Sequence, residues 1–436
     1  MIDTHQLKKR DLYLNKILAF QDTEPVKVVT GIRRCGKSSL LKLMTLHLKE
    51  NGIAEDQILE MNFESYAFKN MNSDSFYQYV REHIIPNKRM YLFFDEVQRV
   101  PKWEDAINSF RVDFNCDIYV TGSNAYMLSS EYATYLSGRC VEIKMLPLSF
   151  SEFLAFYDFE IKETKSALGG TRKQVFDQTG EHYELREVFD AYMRFGGMPG
   201  IADVGLDQEK ALVLLEGIYS TVIMRDILER ENRKGQKRIT DPVLLKKIVM
   251  FLADNIGGNI SVSSIGNTLV NEGLLEDGRQ KGTPSAHTVQ AYVNALLESY
   301  FFYDIKRFDI KGKEFLRTLG KYYIVDIGLR NYLLGFRDRD SGHAIENVVY
   351  FELLRRGYDV SIGKIDNSEV DFIATNTNDK MYVQVTEAMT SEDVRKRELA
   401  PLQKISDNYE KIVLSLDPGL DSSYDGIKLI DWLISV

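Results

Sequence analysis

Apolar and polar residues alternate in ways that divide the chain into three stretches. Residues 26–30, Val-Lys-Val-Val-Thr, are a short β-branched run leading straight into a glycine-bearing segment, and residues 38–50 then carry apolar side chains at helical spacing. Strand, loop, helix is the prediction. Further β-rich runs at 58–63, 90–94 and 116–121 are separated by helical or polar stretches long enough for crossovers. They predict a parallel α/β sheet ending near residue 155. From 184 to about 334 leucine, isoleucine and tyrosine recur every three or four residues, so a helical region is expected. Within it, 261–268 and 285–298 read as short helices opened by serine or another capping residue, and 300–305 is β-prone. Helix, helix, strand suggests a winged helix-turn-helix. After a turn-rich stretch near 335–342, a helix over 344–356 precedes strand-like runs at 358–362, 369–374, 380–386 and 411–416. The fold class expected is therefore α/β, with a parallel-sheet domain at 1–155, a helical and winged-helix-like region at 156–336, and a small α/β domain at 337–436. No internal repeat or low-complexity segment interrupts them.

Length and composition agree with this division. A chain of 436 residues predicts two to four domains, each able to bury its own core. Its 44% hydrophobic and 27% charged residues are ordinary for a globular protein, and no stretch approaches the roughly 18 apolar residues of a membrane span. Residues 1–12 mix acids, bases and polar groups without an apolar segment, so a secretory signal is not expected and a cytoplasmic location without membrane association is. Cys35, Cys116 and Cys140 have no CxxC-like spacing, which fits a reducing compartment better than a disulfide framework or a metal knuckle. The net charge of −9 gives no global pull toward nucleic acid, although a local basic face remains compatible with it.

The chemistry concentrates in the first stretch. Gly31, Gly36, Lys37 and Ser38 satisfy GxxxxGK[ST] between a predicted strand and a predicted helix. Glycines at these points let backbone amides turn inward on phosphates, with Arg33, Arg34, Cys35 and Ser39 completing the cradle. Lys37 can reach the β and γ phosphates, and the Ser38 hydroxyl can ligate magnesium. The run 90–94 suits a buried central strand, and Asp95 and Glu96 fall at its carboxyl end, where α/β ligands bind. Asp95 is expected to hold Mg2+ directly or through water. Glu96 is expected to polarise an attacking water, so hydrolysis is expected rather than transfer to a second substrate. A strand-end acid capping the next helix would account for one of the two acids but not for the pair. The next strand ends in Gly122-Ser123-Asn124, where Ser123 or Asn124 could sense the γ phosphate; a glycine turn with capping residues would look similar. Arg139 follows, either as an arginine finger offered to a neighbouring subunit or as an ordinary surface salt bridge.

Taken together, GIRRCGKSSL, FFDEVQ, VTGSN, SGRCVEIKMLPLSFSEF, FGGMPG, YSTVIMRD and ENVVYFELLRRGYDV resemble the prokaryotic AAA-type P-loop ATPases whose ATPase domain is followed by a nuclease-like domain of unknown function. The resemblance runs from about residue 15 to the end. It implies that Gly31, Gly36, Lys37 and Ser38 form Walker A, Asp95 and Glu96 Walker B, Ser123 and Asn124 the sensor segment, and Arg139 the candidate finger. It further implies ATP as the nucleotide.

In the last stretch Glu346 on a helix, Asp371 in Glu-Val-Asp-Phe-Ile, and the strand over 381–386 resemble the order of the PD-(D/E)xK nuclease core. That chemistry needs two acids on a divalent metal and a lysine two residues beyond the second acid. Here the triplet is Gln384-Val385-Thr386, and Glu387 falls on the opposite strand face. No cleavage is expected; the fold is read as kept for binding or scaffolding. Two weaker nucleic-acid signals lie in the middle region. The segment 285–289 could open a recognition helix, with Lys306, Arg307, Lys311 and Lys313 supplying phosphate contacts from a wing. Arg230, Arg233, Lys234, Lys237 and Arg238 form a basic stretch that is more often a solvated face. The function expected is Mg2+-dependent ATP hydrolysis that rearranges the appended domains, with DNA or a protein as partner and a homo-oligomer possible. The alternative is a slow nucleotide-gated switch or binding module without motor activity.

Overall fold

A computed structural model describes residues 7–125, 138–165, 171–228, 239–271, 284–316, 319–337, 341–389, 391–417 and 426–435. The chain forms two compact units, residues 1–146 with 298–300, and residues 147–297 with 301–436.

The first unit is built on a five-stranded sheet of β1 (Val26–Thr30), β2 (Ile58–Asn62), β3 (Met90–Asp95), β4 (Cys116–Gly122) and β5 (Cys140–Lys144), in the order β2-β3-β4-β1-β5. Every pairing is parallel, with Val28 opposite Val120 and Val120 opposite Phe94. Both faces are covered, which is why every residue of β1 and β3 is buried and the runs read as continuous rather than alternating. The helices α1 (Asp11–Leu18), α2 (Lys37–Glu50), α3 (Ser73–His83) and α4 (Trp103–Asp113) flank the strands. Asn72 starts α3 by a reciprocal capping box with Ser75. The α3 side contributes Phe76, whose ring meets Phe63, Phe94 and Phe110 edge-on at centroid distances of 5.1, 4.8 and 5.1 Å.

Edge strand β5 is not anticipated by the hydrophobic pattern. Its sequence Cys-Val-Glu-Ile-Lys is only half buried, as befits one side of a sheet edge. At the amino ends of the strands, Lys27 and Asp117 form a fully buried ion pair, which Tyr119 supports by donating to Asp117 at 2.7 Å. The carboxyl ends of β1, β3 and β4 come out side by side at the opposite edge.

The second unit begins with the helix Phe150–Phe156 and an antiparallel meander of β6 (Glu160–Lys165), β7 (Thr171–Phe176) and β8 (His182–Glu184), in a region expected to be helical. The helices Leu185–Phe195, Gln208–Tyr219, Pro242–Asp254, Val262–Asn271 and Ala286–Glu298 follow, as the periodicity predicts. Next, β9 (Phe302–Ile305) pairs antiparallel with β12 (Lys321–Ile324), and an isolated bridge ties Ile260 to Gly320. The hairpin between β9 and β12 carries β10 (Arg307–Asp309) and β11 (Glu314–Phe315), which join a second sheet with β13 (Asp359–Ile365), β14 (Ser368–Thr375), β15 (Lys380–Ala388), β16 (Glu410–Asp417) and β17 (Gly426–Lys428). The order is β11-β10-β13-β14-β15-β16-β17. The segments expected as a wing and as the last domain thus share one sheet.

A glycine pair fixes one turn in this unit. Gly196 has φ +77°, and a Cβ there would lie 2.3 Å from Asp326 Oδ1. The Asp326 carboxylate accepts from the Gly197 amide at 2.6 Å and caps the helix Ile327–Leu334 through the Leu329 amide at 3.1 Å. Among the described residues no helix is long and apolar enough to cross a membrane, and all three cysteines are free. The basic stretch from Arg230 to Arg238 lies outside the described residues.

Candidate nucleotide site

The loop between β1 and α2 is fixed by its backbone angles and by close packing. Gly31, Arg34 and Gly36 have φ of +141°, +62° and +105°, a run of backbone reversals that glycine accommodates best. At Gly31 space is also decisive, because a Cβ would sit 2.1 Å from the Met145 carbonyl oxygen. Arg10, itself buried, clamps the loop from behind by donating from Nη1 to the carbonyls of Cys35 at 2.9 Å and Leu146 at 2.8 Å. Burial pushes the Cys35 thiol above its ordinary range, so it stays a neutral packing group. Lys37 opens α2 and turns back over the loop, with Nζ donating to the carbonyls of Gly31 at 3.0 Å and Ile32 at 3.1 Å. Its charge also lies 3.9 Å from Glu96 Oε1.

The two acids occupy the carboxyl end of β3 as expected. Asp95 Oδ1 accepts from the Thr121 hydroxyl at 2.5 Å, and Oδ2 from the Asn62 amide at 3.0 Å. Burial raises Asp95 above the usual carboxylate range, against hydrogen bonds from Thr121 and Ser38 that work the other way. The Ser38 and Asp95 side chains are thus already in contact, as two groups on one cation would be. Glu96 has φ +54°, an uncommon conformation for a side chain of this size, and its amide donates to Thr121 Oγ1 at 2.9 Å. Its carboxylate receives Gln98 Nε2 at 2.6 Å and Ser123 Oγ at 3.2 Å. Arg33 reaches toward it too, with Nη2 at 3.9 Å from Oε2, while Nη1 pairs with Glu64 at 3.1 Å.

Lys37, Ser38, Asp95, Glu96, Arg33 and Ser123 therefore converge. Arg34 is exposed, Ser39 is half-buried on α2, and Asn124 follows Ser123, half-buried. Arg139 stands apart. Its carbonyl accepts the Val26 amide at 2.9 Å, at the amino end of β1, whereas the loop starts at the carboxyl end roughly 13 Å further along the strand. The exposed side chain is thus not brought to the loop of its own chain. Asn62, Thr121 and Gln98 were not singled out from the sequence. Each is a polar residue at or just past a strand end neighbouring the acids, which is the signal that would have found them.

A second cluster of ionisable groups lies in the second unit. Glu346, on the helix Ser341–Arg355, and Asp371, on β14, interact, and a buried lysine that sequence reasoning missed pairs with Glu346 and Glu369. Lys321 Nζ donates to Glu346 Oε1 at 2.8 Å and to Glu369 Oε1 at 2.8 Å. Burial opposes the charge on Lys321, but Glu346, Asp371 and Glu369 together raise its pKa above the ordinary value. Burial opposes ionisation of Glu346 as well, yet bonds from His343, Lys321 and Tyr323 keep it below the usual carboxylate range. Asp371, desolvated and beside Glu346, is pushed well above that range. Gln384 donates to Glu398 at 3.1 Å, the Thr386 hydroxyl donates to the Ala388 carbonyl at 3.5 Å, and the exposed Glu387 accepts from Ser341 at 2.6 Å. Of the four basic residues expected on a wing, Lys311 is bound to Asp366 at 2.7 Å and Arg307 faces Glu369 at 3.8 Å.

Comparison with known proteins finds relatives of this chain. Residues 23–154 match an AAA domain, and residues 186–340 match a domain of unknown function (DUF8612). An uncharacterized protein of Haemophilus influenzae is 36% identical over 98% of this chain and 98% of its own length. The protein MJ1544 of Methanocaldococcus jannaschii is 28% identical, covering 93% of this chain and 84% of its own. Among solved structures, the Walker-type ATPase PABY2304 of Pyrococcus abyssi aligns over 74% of this chain and 95% of its own, at 16% identity and a TM-score of 0.47. The Orc1 protein of Aeropyrum pernix, solved in complex with DNA, aligns over 76% and 96% at 11% identity and a TM-score of 0.32. With its likeness to the Haemophilus protein along nearly all of both chains, this chain belongs to that protein's family, and its residues 23–154 match an AAA domain.

Proposed function

We propose that the protein binds ATP with Mg2+ at the β1–α2 loop and hydrolyses it, and that the nucleotide state rearranges the appended regions. The observation that carries this reading is the convergence of Lys37, Ser38, Asp95 and Glu96 at one edge of a parallel sheet, beside a loop with positive φ at Gly31, Arg34 and Gly36. Gly31 to Ser39 would cradle the phosphates, with Lys37 on the β and γ groups. Ser38 and Asp95 fit a hard divalent cation: both offer oxygen and they are already in contact. When bound, Mg2+ would neutralise charge on the phosphates. Glu96 takes a proton as the water oxygen bonds to the γ phosphorus and the bond from that phosphorus to the β–γ bridging oxygen breaks, leaving ADP and phosphate. Ser123 and Asn124 are read as the sensor segment and Arg139 as a finger acting on a neighbouring subunit. The position of Arg139 at the amino end of β5 suits that trans role better than one in its own site.

We read residues 1–155 as the ATPase domain, 156–336 as a helical lid with a winged-helix-like part, and 337–436 as a degenerate nuclease-like domain. Three helices, the Ile260–Gly320 bridge and the β9–β12 pair support the winged-helix assignment. The acid cluster filled by Lys321 supports a domain that does not cut, because an ammonium group occupies the ground between the carboxylates. The pairing of Lys311 and Arg307 with Asp366 and Glu369 withdraws half of the expected wing cations from a phosphate backbone. A protein partner engaged in a cytoplasmic, nucleotide-gated switch is therefore favoured over a DNA motor. The test is ATP turnover with and without single- and double-stranded DNA, alongside Glu96→Gln. That variant should bind ATP and fail to turn it over. Equal turnover in Glu96→Gln would remove Glu96 from its role, and strong stimulation by DNA would overturn the preference for a protein partner.

A further inference from the structure

We infer that Gln98 is the second acceptor that, with Glu96, orients the attacking water; the inference rests on the hydrolytic reading above. Gln98 lies in the short turn Val97–Arg99 directly after the acids. Its Nε2 is 2.6 Å from Glu96 Oε2 and 3.4 Å from Ser123 Oγ, and Ser123 Oγ is 3.2 Å from the same Glu96 oxygen. A carboxylate can only accept, so the nitrogen of the amide must be the atom facing Glu96 and the carbonyl must be the other. The three groups then close a triangle. Gln98 donates to Glu96 and to Ser123, and the Ser123 hydroxyl donates to Glu96. All donors are committed, and one atom is left over: Gln98 Oε1 is buried and has no hydrogen-bond partner.

Buried acceptors without partners are rare enough to need a reason. Here the orphan stands next to the general base. Glu96 Oε2 holds Gln98 and Ser123, while Oε1 faces Lys37 at 3.9 Å and so lies on the phosphate side. A neutral molecule with two protons to donate would satisfy both Glu96 Oε1 and Gln98 Oε1. Water held by two acceptors has its lone pair directed away from them, toward an electrophile on the loop, which is the geometry an in-line attack requires. The Ser123 link ties this pair of acceptors to β4, so a shift of the sensor segment on phosphate binding would move Gln98 and Glu96 together.

The test uses full-length protein with Gln98→Met, which keeps the volume and removes both polar atoms, and Gln98→Glu. Turnover rate, KM and the affinity for ATP are measured separately, the last with Ca2+ in place of Mg2+. The expectation for Gln98→Met is a kcat about 10- to 100-fold lower with ATP affinity within about twofold of the parent. Gln98→Glu should be slow at pH 8, where two carboxylates face each other, and should recover as the pH falls toward 6, because a protonated carboxyl regains a donor toward Glu96 and keeps an acceptor for the water. A Gln98→Met kcat within twofold of the parent, or a loss lying in ATP affinity alone, overturns the inference; so does a flat pH profile for Gln98→Glu, which also decides the matter if the methionine variant does not fold. A parent protein that binds ATP and never hydrolyses it instead overturns the hydrolytic reading itself.

Discussion

Replacing Lys321 by methionine removes the ammonium group that bridges Glu346 and Glu369 while keeping a chain of similar length. Both carboxylates lie 2.8 Å from its Nζ, and the Glu346 side chain is only 8% exposed. Removing one partner of a buried ion pair costs about 3–5 kcal/mol, because the other charge stays desolvated and uncompensated. Glu369 is 25% exposed and loses less, so most of the deficit belongs to Glu346. The pH dependence follows in sign. In the parent the Glu346 pKa is depressed, so its contribution to stability is present above the unfolded value and is lost as pH falls through the folded one. In the variant burial prevails and the pKa is raised, so its contribution is present below the unfolded value and is lost as pH rises. The gap between parent and variant is therefore widest near pH 7.5 and narrows toward pH 4. Urea unfolding followed by the fluorescence of Trp432 in a Trp103→Phe background reads this, since those are the only two tryptophans and Trp432 reports the second unit. Adding Glu346→Gln should recover much of the loss. A deficit under about 1 kcal/mol at pH 7.5, or one unchanged at pH 4.5, refutes the claim that Lys321 is the cation holding this cluster together.

Burial raises Asp326 to about 6, above its unfolded value, so its ionisation weakens the fold; its contribution to stability is full at low pH and is lost as pH rises through about 6. Stability should rise by about 1 kcal/mol between pH 7 and pH 5 from this group, and Asp326→Asn should abolish that increment in urea titrations. Gly31→Ala places a Cβ against the Met145 carbonyl at a φ of +141°, so the loop must reshape. Its ATP affinity should fall at least about 10-fold by fluorescent-nucleotide titration, and an unchanged affinity would show that the loop conformation is not what binds phosphate.

The parts of the molecule legible in the sequence are those whose chemistry is contiguous. Gly31 to Ser38 and Phe94 to Glu96 sit on strand ends that their own hydrophobic runs announce, and a parallel sheet buried on both faces makes those runs unbroken. Strand β5 escaped because an edge strand reading Cys-Val-Glu-Ile-Lys is half polar, and β6 because Glu-Ile-Lys-Glu-Thr-Lys looks like a solvated loop until β7 pairs with it. Lys321 escaped for a different reason. No local pattern tells a strand-borne lysine that it will meet a helix residue and a later strand, and only the tertiary fold brings Glu346 and Glu369 to it. The hairpin basic residues were read as free for phosphate because their carboxylate partners, Asp366 and Glu369, lie on the far side of a helix in sequence.

The most direct test of the central claim is the initial rate of phosphate release from ATP in Mg2+ by the purified full-length protein, with Lys37→Ala measured alongside. The account predicts turnover in the parent that Lys37→Ala and removal of Mg2+ each abolish. Turnover that survives Lys37→Ala, or a parent that neither binds nor hydrolyses ATP, would contradict it.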